Sequence, residues 1–192
     1  MFRKVSLLFL VCSSCCFSLE KLDERYCISY GETSQDIQAI EYFSFGCHQC
    51  ISLFQQDFSD IRKAYIEKGD VFWTFHPIPI DIPTIQAMVC FDHLSNDEKK
   101  MFLEACLMEF HNVDDDSKCV LMQKAMEFLK KPIPQLSQMG YLEKTRAFRE
   151  AFTFLEQHDL ILAVPTVEIN GKVHDQMPDK NFLEEKFNKL LG

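Results

Sequence analysis

Two cysteines, Cys47 and Cys50, stand where an apolar run gives way to an amphipathic helix pattern, and that junction constrains the fold more than any other stretch. Upstream lies Ile40-Glu41-Tyr42-Phe43-Ser44-Phe45-Gly46. Downstream, Ile51, Phe54, Phe58, Ile61 and Tyr65 recur at alternating steps of three and four, the period of one buried helix face. A strand that delivers two thiols to a helix N-terminus suits dithiol/disulfide chemistry. The helix dipole and the free N–H groups there favour a thiolate on the first cysteine.

The rest of the chain reads as strands around a helical block. Tyr26–Tyr30 and Ile37–Ser44 have strand character, and a long helix is expected from about Cys47 to Lys68, stopped by Gly69. Val71–His76 is the next strand. Pro77, Pro79 and Pro83 then break the chain. From about Pro83 to Leu160 the pattern is helical. Its expected buried stripes are Leu103, Cys106, Leu107 and Phe110; Cys119, Met122, Met126 and Leu129; and Tyr141, Phe148, Phe152 and Leu155. Asn112–Ser117 reads as a turn. Strand character returns at Val164–Asn170, with Asn170-Gly171 as a tight hairpin turn into Lys172–His174. Pro178-Asp179 opens a last helix. The order β-β-α-β, helical insert, β-β-α predicts an α/β fold in which strands from both ends of the chain share one sheet. The expected boundaries are 19–82 for its first part, 83–160 for the insert and 161–192 for its second part.

Residues 1–18 read as a secretory signal: a basic start at Arg3 and Lys4, an apolar run from Val5 to Val11, and small residues at Ser13, Ser14 and Ser18. The apolar run is short for a spanning helix, although retention as an anchor is an alternative. Lipid attachment at Cys15 or Cys16 fits the preceding residues poorly. Losing the segment would move the formal charge from −9 to −11 and leave no basic stripe for phosphates, which argues against a nucleic-acid partner. Cys27, Cys47, Cys50, Cys90, Cys106 and Cys119 would remain. An exported chain with so many cysteines meets an oxidising compartment, where some should pair.

The chemistry centres on Cys47 as nucleophile, at the exposed helix end, and Cys50 as resolving thiol one turn inside. The competing reading is a plain structural disulfide or half a zinc site; a zinc site of this type usually needs a second ligand pair, which the other cysteines do not offer. His48 and Gln49, between the thiols, are candidates for tuning the Cys47 thiolate by charge or hydrogen bonding, or else are exposed and without effect. Val164 and Pro165 form a second candidate site, since a proline entering a strand cannot donate to the ladder and a cis bond is one way to place it. Glu41, inside an apolar strand, is either a buried carboxyl able to move protons for the thiols or a strand-edge group facing water. His76 is expected to be structural, and Asp114-Asp115-Asp116 a solvated helix start. Cys106 and Cys119 flank the 112–116 turn symmetrically, so a helical hairpin could bridge them.

These residues resemble the DsbA family of periplasmic thiol-disulfide oxidoreductases, from Ile37 to the C-terminus. Three parts carry the likeness: Glu41 to Cys50, the helical insert, and Val164-Pro165-Thr166-Val167-Glu168-Ile169-Asn170-Gly171-Lys172. The resemblance implies a thioredoxin fold with an inserted helical domain and no cofactor beyond the redox-active Cys47–Cys50 disulfide. It implies donation of disulfides to exported proteins with free thiols, and reoxidation by a DsbB-type membrane partner. Cys47, Cys50, Pro165 as a cis proline, and Glu41 as the family's acidic residue carry over. Valine at 164 resembles the monomeric oxidase branch, where the dimeric isomerases commonly have threonine. Some relatives bridge helices of the insert, which makes Cys90–Cys119 a second candidate pairing. One departure is plain: the family's best-known dipeptide is Pro-His, and here His48-Gln49 replaces it, so a weaker oxidant is expected. The rival readings are a reductase or isomerase, and a metal-binding or chaperone module using these thiols with His48 or His76.

Overall fold

The computed structural model describes residues 23–110, 113–157 and 163–192. The expected signal at 1–18 and the boundary at 160/161 lie outside them.

Five strands form one mixed sheet in the order β1-β3-β2-β4-β5. They are β1 (Ile28–Tyr30), β2 (Ile37–Phe43), β3 (Val71–Pro77), β4 (Thr166–Ile169) and β5 (Lys172–His174). β2 runs parallel to β3 and antiparallel to β4, with Glu41 level with Phe75 on one side and Val167 on the other. The hairpin between β4 and β5 turns on Asn170 and Gly171, both at positive φ, as a two-residue turn with the twist of the sheet requires. The edge strand β1 is shielded: the Ser29 backbone N–H donates to Asn96 Oδ1 at 3.2 Å, and Asn96 Nδ2 donates back to the Ser29 carbonyl at 3.1 Å.

One face of the sheet carries the main core. Trp73 and Phe75 of β3 meet Phe54 and Phe58 from the helix after Cys47, and Phe187 from the C-terminal helix. The stripe Ile51, Phe54, Phe58, Ile61 and Tyr65 is buried throughout. The helix itself is not uniform. It runs as α1 (His48–Leu53), a π-helical stretch Phe54–Phe58, α2 (Ser59–Ile61) and a second π stretch Arg62–Ile66. Wider turns let large aromatics at steps of four share one face. Gly69, at φ +87°, follows its end.

The helical block comprises α3 (Ile82–Phe91), α4 (Asn96–Glu109), α5 (Asp115–Phe128), α6 (Met139–Leu142) and α7 (Arg146–Gln157); α8 (Lys180–Leu191) closes the chain. Caps set the helix starts. Ser95 and Glu98 form a capping box on α4, while Asp114 and Asp179 accept from backbone N–H groups at the starts of α5 and α8. The first expected stripe is wholly buried, and Cys119, Met122 and Met126 of the second are too. The third is corrected: Phe152 is 48% exposed, whereas Ala147 and Ala151 are sealed. The small residues let α7 close on α3, Phe148 and Phe154 pack partly buried against the core, and Phe152 turns outward.

Candidate active site

β2 ends at Phe43, and the chain turns through Ser44-Phe45-Gly46 into α1. The turn is closed by the Cys47 N–H donating to the Ser44 carbonyl at 3.2 Å. Cys47 is the N-cap residue of α1. Its Sγ accepts from the Cys50 backbone N–H at 3.1 Å, so a helix-end donor already points at the sulfur that would carry charge after reduction. Cys47 and Cys50 are disulfide-bonded, with Cα atoms 5.3 Å apart. Cys47 is half-buried and Cys50 is sealed at 1% exposure. Access therefore differs between the two sulfurs in the sense that exchange at Cys47 requires.

Across from the disulfide, the Val164–Pro165 peptide bond is cis. The Val164 carbonyl oxygen lies 3.5 Å from Cys47 Sγ, Val164 is half-buried and Pro165 is buried. The structure thus brings together two segments 117 residues apart in sequence. His48 and Gln49 are exposed on the first turn of α1.

Glu41 is 2% exposed, on the sheet face that carries the core, and burial pushes its carboxyl up to about 8. The strand-edge alternative is thereby excluded. His76 is also buried, but its ring packs against Tyr42 at 5.2 Å and near Phe154 of α7, on the opposite face of the sheet. It is not brought to the thiols. On that same face the Tyr42 hydroxyl donates to Glu168 Oε2 at 2.8 Å.

Cys90, Cys106 and Cys119 are free thiols. No bond joins these three, which sit in α3, α4 and α5. All three are buried, and burial pushes their thiols up; Cys90 feels Cys119 and Cys106 feels Cys90 as further unfavourable charges. Among the described residues no group of three or more His, Cys, Asp or Glu side chains is arranged to hold a metal ion.

The insert reaches the site through residues that the motif does not reveal. The Phe45 ring lies 6.0 Å from Phe91, 6.5 Å from Phe102 and 6.2 Å from Phe110, all in the insert. The Phe45 N–H donates to Thr84 Oγ1 at 2.8 Å, and the Gly46 N–H to Asp81 Oδ2 at 3.2 Å. Asp81-Ile82-Pro83-Thr84 carries a helix-start signature, an Asp cap with proline in the first turn, but nothing in it points to the thiols.

A family model described as Thioredoxin matches residues 24–189. No curated protein sequence matches the chain significantly. Among solved structures, oxidised BdbD from Bacillus subtilis is similar at TM-score 0.70 and 17% identity, covering 90% of this chain and 97% of that one. Wolbachia pipientis alpha-DsbA1 follows at TM-score 0.69 and 17% identity, covering 85% and 90%. Chlamydia trachomatis DsbA gives 0.61 and 16%, covering 85% and 89%.

Proposed function

From a chain that belongs to the thioredoxin family, and is by its fold and its Cys47–Cys50 pair a DsbA-like thiol-disulfide oxidoreductase, we propose an exported oxidase that places disulfides in client proteins. The observation that carries the reading is the asymmetry of the pair: a reachable sulfur at a helix N-terminus, with a backbone N–H on it, bonded to a sealed one. A client thiolate attacks Cys47 Sγ. The Cys47–Cys50 bond breaks, and the electron pair leaves on Cys50, which takes up a proton. Glu41, buried and protonated at neutral pH, is the group we assign to supply it. A second client thiol then attacks the client sulfur of the mixed disulfide and displaces Cys47 as thiolate. The client is oxidised by two electrons and the enzyme is left as the dithiol. The Cys50 N–H favours that leaving group, and the Val164 carbonyl beside the sulfur offers an acceptor to an extended client backbone.

The export segment at 1–18, an oxidising compartment such as the periplasm, a monomeric state and a DsbB-type reoxidase complete the proposal. Direction is the part to test. In glutathione buffer the enzyme should equilibrate largely as the dithiol, and its oxidised form should speed disulfide formation in a reduced, unfolded substrate. Exposed His48-Gln49 in place of Pro-His should leave it a weaker oxidant than the Pro-His enzymes. A disulfide that glutathione cannot reduce would turn the assignment to a reductase.

A further inference from the structure

We propose that Asp81 is a positioning residue for the exchange reaction: from the N-cap of α3 it clamps the peptide entering Cys47 and sets a negative charge on the turn that presents the Cys47 sulfur. The clamp is a closed set of contacts. Asp81 Oδ2 accepts from the Gly46 N–H at 3.2 Å. Asp81 Oδ1 accepts from the Thr84 N–H at 2.8 Å and from the Thr84 hydroxyl at 2.6 Å. That same hydroxyl accepts from the Phe45 N–H at 2.8 Å, in a fully buried setting. Two consecutive N–H groups ahead of Cys47 are therefore held by one two-residue motif at the start of α3.

Position 46 shows how close the approach is. A Cβ built on Gly46 would lie 2.6 Å from Asp81 Oδ2 and 2.7 Å from its carboxyl carbon. Any side chain at position 46 would therefore push the Asp81 carboxylate out of its place. The clamp and the Phe45 ring among Phe91, Phe102 and Phe110 tie the turn to the insert from both its backbone and its side chain.

The carboxylate also acts through its charge, because a negative group near a sulfur opposes its ionisation. Other titratable groups around the turn are few. His48 is exposed at the head of α1, and Glu41 lies buried on β2. Further along the helical run, Asp57 accepts from the Lys180 N–H. His76 of β3 and Glu168 of β4 face the far side of the sheet with Tyr42. The first turn of α3 holds no other charge. Asp81 restrains the thiolate while it fixes the backbone that presents it.

The proposal rests on the exchange chemistry and not on its direction. Asp81→Asn removes the charge and, with its oxygen on the Gly46 N–H, gives up the acceptor of the Thr84 N–H. It should lower the pH midpoint of Cys47 alkylation by about one unit and move the glutathione equilibrium about tenfold toward the dithiol. An unchanged midpoint and equilibrium would overturn the charge role. Gly46→Ala should slow exchange with a peptide disulfide about tenfold or more in the natural background, and less on top of Asp81→Ala, where the contacts at 2.6 and 2.7 Å are gone and only the Cβ of residue 81, 3.2 Å away, still faces the added methyl group. Equal slowing in both backgrounds would overturn the clamp. Both readouts follow Cys47 whether the enzyme oxidises or reduces its clients.

Discussion

Cys47 and Cys90 are the same residue type in one protein, and their surroundings give them opposite chemistry. Cys47 is half-exposed at the start of a helix, with a backbone N–H 3.1 Å from its sulfur. Cys90 is fully buried in α3, and both desolvation and its neighbour Cys119 disfavour its thiolate. The first site stabilises the anion that exchange needs; the second keeps sulfur as a small apolar filler. Thiol reactivity here follows access and local charge more than it follows the number of cysteines.

The largest effects should come from breaking the reactive site itself. Cys47→Ser should abolish exchange, because the only attackable sulfur of the pair is gone. Cys50→Ser should instead trap client mixed disulfides, visible on non-reducing gels as adducts released by dithiothreitol. Turnover near the natural rate in either variant would dismiss the assigned roles. A short pulse of alkylating reagent on the reduced, folded protein should label Cys47 and spare Cys90, Cys106 and Cys119 until denaturant is added.

Glu41 sharpens the contrast, since it is buried like Cys90 yet lies on the core side below the reactive turn. Its carboxyl is raised from 4.5 to about 8 by burial. Between those values the folded protein holds a proton that the unfolded chain releases, so rising pH favours unfolding. The loss is absent below about 4.5 and complete above about 8. At pH 7 it amounts to about 3 kcal/mol. Glu41→Gln should therefore match the natural protein in urea midpoint at pH 4.5 and exceed it at pH 7.5. It should also slow exchange at neutral pH by withdrawing the proton from Cys50. Parallel pH profiles of stability for the two proteins would remove Glu41 from both roles.

Much of this was legible in the residues. Cys47-x-x-Cys50 at a strand–helix junction, Asn170-Gly171 as a hairpin, and Val164-Pro165 entering a strand each announce local geometry through their own chemistry. Burial of Glu41 was one of two open readings, because a single charged residue in an apolar strand does not say which face it takes. The third stripe misled at one position for a physical reason: Tyr141 and Phe148 pack partly buried against the core, but the tight contact of α7 with α3 selects Ala147 and Ala151 and leaves Phe152 outside. The Asp81–Gly46 contact was out of reach. Its two partners are 35 residues apart, and only the packed fold places them together.

The smallest expected effect concerns the buried thiols. Cys90→Ala removes one sulfur from a sealed position and leaves the reactive turn untouched, so exchange rates should hold. With Cys90 a free thiol, as in the structure, the deletion should cost about 1 kcal/mol, the scale of a small buried truncation. A bridge from Cys90 to Cys119 or Cys106, formed on oxidation, would constrain the unfolded chain, and losing it would cost about 2–5 kcal/mol. Urea denaturation of the natural protein and Cys90→Ala, oxidised and reduced, separates the two states. The free-thiol state predicts the same small loss in both redox conditions. A loss several times larger in the oxidised pair alone would mean that Cys90 has left the filler class and joined Cys47 among the reacting cysteines.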